Sequence, residues 1–376
     1  MTVSLCIIAR NEEKAITGLL QQVKMQTYPK NKTEIVLVDS GSHDRTKTIF
    51  RSFSNDSKHS YINIQILDNT NGNQASGWNT AIKNAAGDII IRVDAHAEIP
   101  EDFIEKNVAL IESGEDVCGG ARPNKIDEPT PFKEMLFLAE SSMFGSSVAG
   151  YRRKSETKKY VSSLFHGAYK REVFAKVGGF NKDLGRTEDN ELHYRIRKAG
   201  YRICQGSDII SYQHIRNTLS GMLAQKFANG KWIGLTLGVC YQCLSVFHFV
   251  PFLFVFLLIC SGAVALAGMG FGVSVMTLPF LGLVLLYALA DFGMTLLAVL
   301  TAPKKHMVQI LLPMVFLLLH LSYGIGTLAG IIGMPLWKLS LNGSAQKEIE
   351  EVRQCVIQNT HHHSEEENNG TGNDNR

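Results

Sequence analysis

The residues with the most evident chemistry form one short run, Arg92-Val93-Asp94-Ala95-His96. A carboxylate two positions from an imidazole, at the end of an apolar strand, can present both groups to one divalent cation. A hard Mg2+ or Mn2+ held there could bridge the two phosphates of a nucleotide. Alone, such a D-x-H run is a weak signal, because chance surface turns produce it. Two acidic clusters accompany it. Glu34-Ile35-Val36-Leu37-Val38-Asp39 ends a buried-type strand with an acid that could accept the N–H of a uracil ring, and Asp44 reads as a helix N-cap. Thr187-Glu188-Asp189-Asn190-Glu191 places acids at the start of a helical stretch, where plain dipole complementation competes with catalysis. His214 follows the last strand-like run and could reach a diphosphate or a metal, or simply end a strand.

The elements that must position these groups alternate along the first 210 residues. Strand-like runs at 2–9, 34–39, 62–67 and 88–94 are separated by helical patterns at 11–26, from 44, and at 74–86. Ala15, Leu19, Leu20 and Val23 show the helical spacing in the first of these. Such alternation implies a mostly parallel sheet covered on both faces, whose ligands bind outside the carboxyl ends of the strands. The polar clusters at 11–13, 39–44, 68–73 and 94–98 fall at those ends. The stretch 145–159, rich in Ser, Gly and basic residues, reads as a mobile loop over the site.

The 376 residues carry a net charge of +3, which argues against a nucleic-acid binder driven by bulk electrostatics. The mean hydropathy of +0.00 averages two unlike regions. Between Ile233 and Trp337 only Asp291, Lys304 and Lys305 are charged. A water-soluble part is therefore joined to a lipid-soluble one, which excludes both a purely soluble enzyme and a purely integral transporter. Three spans are predicted, at 249–270, 275–300 and 308–334, each longer than the roughly 20 residues a bilayer core requires. Residues 217–247, with Lys226, Lys231 and Trp232, suit an amphipathic segment in the interface. Lys304, Lys305 and His306 put their loop, and hence the N-terminal part, in the cytoplasm by the positive-inside rule, and parity then sends the C-terminus outside. Asp291 within a span predicts a functional or helix-pairing role. The seven cysteines are odd in number and scattered, Cys240 and Cys243 reading as small apolar residues at a membrane surface, and no signal peptide is evident, as expected for a reducing cytoplasm. The predicted organisation is a catalytic domain at 1–216, the interfacial segment 217–247, three transmembrane helices within 248–335, and a polar, disordered tail at 336–376 that includes a tract of three histidines.

Together these blocks resemble the family-2 inverting glycosyltransferases. Ser4 to Glu13 is similar to the family's first strand and turn, Asp39 to its base-binding acid, and 73–87 to its donor-contact helix. Asp94-Ala95-His96 stands where the family carries D-x-D, and Gly178-Gly179-Phe180 with Glu188-Asp189 matches its acceptor-side block. The resemblance covers residues 2–215 and, with the C-terminal spans, is nearest to the bacterial succinoglycan-type exopolysaccharide glucosyltransferases. It implies an α/β fold, a Rossmann-like nucleotide-sugar-binding domain of the GT-A type with a mostly parallel sheet, followed by transmembrane helices. It implies donor binding by Ala9, Asn11, Glu13, Asp39, Asn73, Asn79 and Asp94, with Mn2+ or Mg2+ on Asp94 and His96 and His214 as a further candidate ligand. The expected catalytic pair is Asp189, as general base, with Glu188. Two departures stand out: His96 replaces the second aspartate, and Gln225 to Trp232 matches imperfectly the Q-x-x-R-W of processive synthases.

The implied reaction moves a sugar from a nucleotide-diphospho-sugar, expected to be a UDP-sugar, to a lipid-linked saccharide on a polyprenyl diphosphate. It would take place at the cytoplasmic face of the cell membrane, in exopolysaccharide or cell-surface glycan synthesis. One base without a nucleophilic partner implies inversion. The alternatives are a polyprenyl-phosphate glycosyltransferase, a processive polysaccharide synthase and a non-catalytic nucleotide-sugar-binding membrane subunit. No nucleic acid is expected as a partner.

Overall fold

The computed structural model describes residues 1–145 and 156–370, so the predicted loop at 145–159 lies largely outside the described residues. The chain forms two compact units, one of residues 1–123, 156–213 and 341–370, the other of 124–145 and 214–340.

In the first unit the order is β1 (Val3–Ala9), α1 (Ile16–Lys24), β2 (Thr33–Asp39), α2 (Thr46–Ser57), β3 (Asn63–Asp68), α3 (Gln74–Asn84), β4 (Ile89–Asp94), β5 (Ala97–Glu98), α4 (Phe103–Glu112) and β6 (Val117–Ala121). β7 (Asn124–Lys125) and α5 (Pro131–Ser141) belong to the second unit. The first resumes with β8 (Lys159–Tyr160), β9 (Gly167–Lys170), α6 (Arg171–Val177), α7 (Glu188–Lys198) and β10 (Ile203–Ile210), and the boundary along the chain falls within β11 (Tyr212–His214). Eight strands make one sheet in the order β3-β2-β1-β4-β9-β6-β10-β8. The pairs β1/β2, β1/β4, β2/β3 and β6/β10 are parallel, and only β9 and β8 run against their neighbours.

β1, β2 and β4 are buried along their whole lengths because helices cover both faces, which is why they read as apolar runs without alternation. One face packs Leu5, Ile7, Ile35 and Ile91 against α1, α2 and α4. The other packs Cys6, Val36 and Ile90 against Trp78, Ile82, Phe174 and Phe180. Residues 203–210 form the single strand β10, and Tyr212 opens β11.

The second core holds a segment that composition had marked as disordered. α12 (Ser344–Gly370) is a helix of the first unit, and its Val352 and Val356 join the cluster around Trp78 and Phe180. The predicted disordered tail is thus corrected over residues 344–359. Ala345, Ile349, Val352 and Val356 recur at helical spacing and are all buried, so this apolar stripe has a core to enter. Gly178, at φ 75°, and Gly179 admit it, since a Cβ on Gly179 would lie 2.7 Å from the Val352 side chain.

The second unit is largely apolar. α8 (Leu219–Thr236), α9 (Val250–Gly270), α10 (Leu278–Thr301) and α11 (Leu312–Ser340) follow one another. Among the described residues three helical segments, Val246–Gly270, Ser274–Thr301 and Met307–Ser340, are long and apolar enough to cross a membrane. Asp291 is buried on α10, where Thr295 one turn on donates to it at 3.4 Å. Tyr287 and His320, 2.9 Å apart, link α10 to α11. α8 lies within the segment 217–247 expected in the membrane interface. It packs lengthwise on α11, and its Lys226 is buried against Glu140 at 2.9 Å.

Candidate active site

Strand register sets the geometry of the carboxyl edge. Ala9 at the end of β1 lies opposite Asp39, and Ile8 lies opposite Asp94. Two strand spacings therefore separate the two acids, about 10 Å across the sheet edge. Ala9 contributes backbone, its carbonyl accepting from the Ser40 N–H at 2.9 Å. Asn11 takes φ 57°, a left-handed turn that asparagine tolerates. Its side chain accepts from the His43 N–H at 2.8 Å and its own N–H donates to Ser42 at 3.0 Å. Glu13 accepts from the Arg45 N–H at 3.1 Å, and Asp44 accepts from the N–H groups of Glu13 and Thr46, both at 3.0 Å. These bonds fasten the loop after β1 to the loop after β2. The Asp39 carboxylate is buried and, among the described residues, receives only the long N–H bonds of Ser42, at 3.3 and 3.4 Å.

At β4 the sequence pattern Arg-x-Asp takes on a meaning that spacing alone did not show. Arg92 is 2 % exposed and grips Asp189 at two points, Nη1 on Oδ1 and Nη2 on Oδ2 at 3.2 Å. Its guanidinium lies over the rings of Trp78, Phe180 and Phe165, at 4.6, 5.3 and 5.5 Å. This arginine joins the strand that ends in Asp94 to the first turn of α7, which carries Glu188 and Asp189. Burial pushes both of those carboxyls up: Asp189 is raised above its ordinary value against the pull of Arg92, and Glu188 is pushed up to about 8, the charge of Asp189 adding to desolvation. Glu191 is engaged by Arg195 at 2.7 and 2.8 Å and stands apart from them.

Asp94 has a different electrostatic setting. Burial works against its ionisation, but His166, Arg92 and His96 outweigh it and hold the carboxyl well below the usual range. The antiparallel register of β9 with β4, Ile91 opposite Ala168, brings His166 to the level of Asp94, with Nε2 3.8 Å from Oδ2. Burial holds His166 neutral, its pKa lowered to about 4. Its Nδ1 is fixed by Ser211 at 2.8 Å, while its Nε2 and the Asp94 Oδ1 are buried without hydrogen-bond partners. Asp94 Oδ1 faces the Arg92 Nη2 at 3.9 Å and Oδ2 faces the His166 Nε2, so the carboxylate and the neutral imidazole offer donor types that suit a Mn2+-type cation beside a competing guanidinium. The sequence reading missed both Arg92 and His166. Arg92 was legible only as a charge within a buried-type strand, and His166 carried no local signal.

The remaining expectations divide. His96 follows Asp94 in a tight turn but pairs with Glu12 at 3.2 Å, a hydrogen bond that raises its pKa. Asn73 caps α3, accepting from the Ser76 N–H at 2.8 Å. Asn79 is corrected as a donor contact: it is fully buried, donating to the Phe180 carbonyl and to Glu348 and accepting from the Phe180 N–H. A buried amide with its donors and acceptor engaged holds the Gly178–Phe180 turn and has nothing left for a ligand. His214 sits 2.5 Å from Asp127 and so has its own carboxylate. Among the described residues no three His, Cys, Asp or Glu side chains converge on one point.

A mostly parallel sheet with acids at the ends of β2 and β4, and an acidic helix start brought beside the second, is a GT-A-like fold. The same fold is seen in a mannosyltransferase from Pyrobaculum calidifontis solved with GDP-Man and Mn2+, at TM-score 0.54 and 19 % identity over 87 % of this chain and 86 % of that one. Residues 4–178 match the family described as Glycosyl transferase family 2, and this domain is a glycosyltransferase of that family. It is similar to the Dolichyl N-acetyl-alpha-D-glucosaminyl phosphate 3-beta-D-2,3-diacetamido-2,3-dideoxy-beta-D-glucuronosyltransferase of Methanococcus voltae, 27 % identical over 68 % of this chain and 80 % of that one. It is also similar to the succinoglycan biosynthesis protein ExoA of Rhizobium meliloti, 28 % identical over 61 % of this chain and 68 % of that one.

Proposed function

We propose that this glycosyltransferase moves a sugar, with inversion, from a UDP-sugar to a lipid-linked saccharide at the cytoplasmic face of the cell membrane. The observation that carries the reading is the Arg92–Asp189 pair, because it ties the strand that would hold the donor diphosphate to the helix that would hold the base. The names of the two relatives, one acting on a dolichyl-linked sugar phosphate and one serving succinoglycan synthesis, support a lipid-linked acceptor and a surface glycan.

In this reading Asp39 accepts from the uracil ring and the fastened loops at Asn11 and Glu13 wall the nucleotide. Asp94 would hold a divalent cation, with His166 as the nearer imidazole and His96 on the adjoining turn. Such a cation supplies positive charge against the leaving diphosphate. Asp189 takes the proton of the acceptor hydroxyl as that oxygen attacks the sugar carbon from the face opposite the diphosphate. A carboxylate raised above its ordinary pKa is the better acceptor for that proton. Arg92 keeps it ionised and aimed, and Trp78 and Phe180 hold Arg92 in place. The test is product analysis by mass spectrometry after incubating the full chain with UDP-sugars and polyprenyl diphosphate saccharides. One added sugar on the lipid-linked saccharide is the expected product. A sugar on a bare lipid monophosphate, or a ladder of additions, would replace this reading with a polyprenyl-phosphate transferase or a processive synthase.

A further inference from the structure

We infer that α11 does not cross the membrane but lies in the plane of the leaflet on the catalytic side, paired with α8, so that only α9 and α10 span. This inference stands apart from the choice of donor and acceptor.

The argument starts from α12. Its Val352 and Val356 are part of the catalytic unit's core, Glu348 receives Asn79 and Lys182, both at 2.9 Å, and Glu351 pairs with Lys83 at 3.1 Å. A segment built into that core lies on the same side of a bilayer as the rest of the unit. Between Gln213 and Leu341, the residues where the chain leaves that unit and returns to it, the membrane must be crossed an even number of times. Three crossings are excluded although three helices are apolar enough to make one.

Direction decides which helix stays behind. Ser322 donates to the Leu223 carbonyl at 2.7 Å, and Gly326 faces the Phe227 carbonyl. Further on, Gly234 faces Thr327 and Ile331, and Gly238 faces Met334. Residue numbers rise together on both helices, so α8 and α11 run parallel, and the glycines leave no room for a side chain between them. α8 begins where the chain leaves the catalytic unit, and α11 ends where it returns. A crossing α11 would have to run toward the catalytic side, and a parallel α8 would then have to start on the far side, which it does not. Neither helix crosses. α9 and α10 form an antiparallel hairpin, with Gly262 beside Phe280 and Gly268 beside Met276, and supply the two crossings.

The exposed surfaces agree. On α9, the exposed Val250, Leu253, Phe256, Ile259, Leu266 and Met269 point all round the helix, as lipid on every side requires. On α11, Met314, Ile325, Ile332, Leu336 and Leu339 fall on one stripe, with the buried Phe316, Thr327 and Gly330 opposite. One apolar stripe on a helix about 43 Å long is the surface that acyl chains of a single leaflet would cover. Trp232 and Trp337 meet edge-on at 6.0 Å beside Lys231 and Lys338, the residue types that sit at headgroup depth.

The test uses the full chain in cells, with its native cysteines replaced and single cysteines introduced as Phe271→Cys, Pro303→Cys and Asn342→Cys. An impermeant maleimide is applied to intact cells and to inside-out vesicles. Labelling of the 303 and 342 variants from one face and of the 271 variant from the other is expected. Labelling of the 342 variant from the same face as 271, or of all three from one face, overturns the inference. Should cysteine replacement unfold the chain, a biotin-acceptor peptide inserted after Ala302 or after Asn342 of the native sequence must be modified by a cytosolic ligase at both places or at neither. Modification at only one overturns it.

Discussion

Arg92 and Asp189 meet as a buried two-point pair, with Nη2 3.2 Å from Oδ2, and so lock the first turn of α7 to the strand that ends in Asp94. Breaking such a pair from one side leaves an uncompensated buried charge and costs about 3–5 kcal/mol. Arg92→Met should destabilise the catalytic domain by that amount in a denaturant titration. Arg92→Lys keeps the charge but not the fork, so it should fold and lose turnover with little change in nucleotide affinity. Wild-type turnover in Arg92→Lys would remove the pair from the mechanism.

Asp189→Asn should bind the nucleotide sugar with near wild-type affinity and lose about 10²- to 10⁴-fold in kcat, the range for a missing general base. Glu191→Gln should be milder, since Glu191 belongs to Arg195. A rate above about a tenth of wild type in Asp189→Asn lies outside that range and would favour a phosphate acceptor that needs no base.

Glu188 gives the stability a sign with pH. Its folded pKa, pushed up to about 8 from an ordinary 4.5 by burial and then by Asp189, means that the folded state binds more protons between those values. Its contribution is fully present below pH 4.5 and is lost as the pH rises through 8. The stability difference between wild type and Glu188→Gln, read from unfolding at several pH values, should shift against wild type as the pH climbs from 5 to 8. A difference that stays flat contradicts a buried, protonated Glu188.

UDP affinity should fall when Mn2+ is replaced by a chelator, and the dependence should vanish in Asp94→Asn. Because His96 is drawn to Glu12 while His166 lies 3.8 Å from Asp94, His96→Ala should keep more of the cation effect than Asp94→Asn. Isothermal titration with and without the cation measures both. Equal affinity under all conditions would exclude a metal on Asp94.

Val352→Ala should cost about 2 kcal/mol in the catalytic domain, for two methyl groups lost from a closed core. Deleting residues 361–376, the histidine tract included, should leave the unfolding curve unchanged. A midpoint that moves with the deletion but not with Val352→Ala would mean that the tail stabilises the domain by some other route.

The parallel sheet, the carboxyl-edge acids Asp39 and Asp94, the acidic start of α7 and three membrane-length apolar helices were legible in the sequence. Each is a local pattern: an apolar run ending in an acid, a helix period, a stretch without charge. The partners of those acids were not legible, because they lie far along the chain. Arg92 reaches Asp189 across 97 positions, and His166 meets Asp94 only because β9 runs antiparallel to β4. Asn79 reads like a ligand contact on its helix, and only the turn at Phe180 and the arrival of Glu348 reveal that its amide is already engaged. Composition marked the tail as polar, but order depends on whether a stripe of four apolar residues finds a core to close, and that core is made by Trp78, Phe174 and Phe180 from elsewhere in the chain.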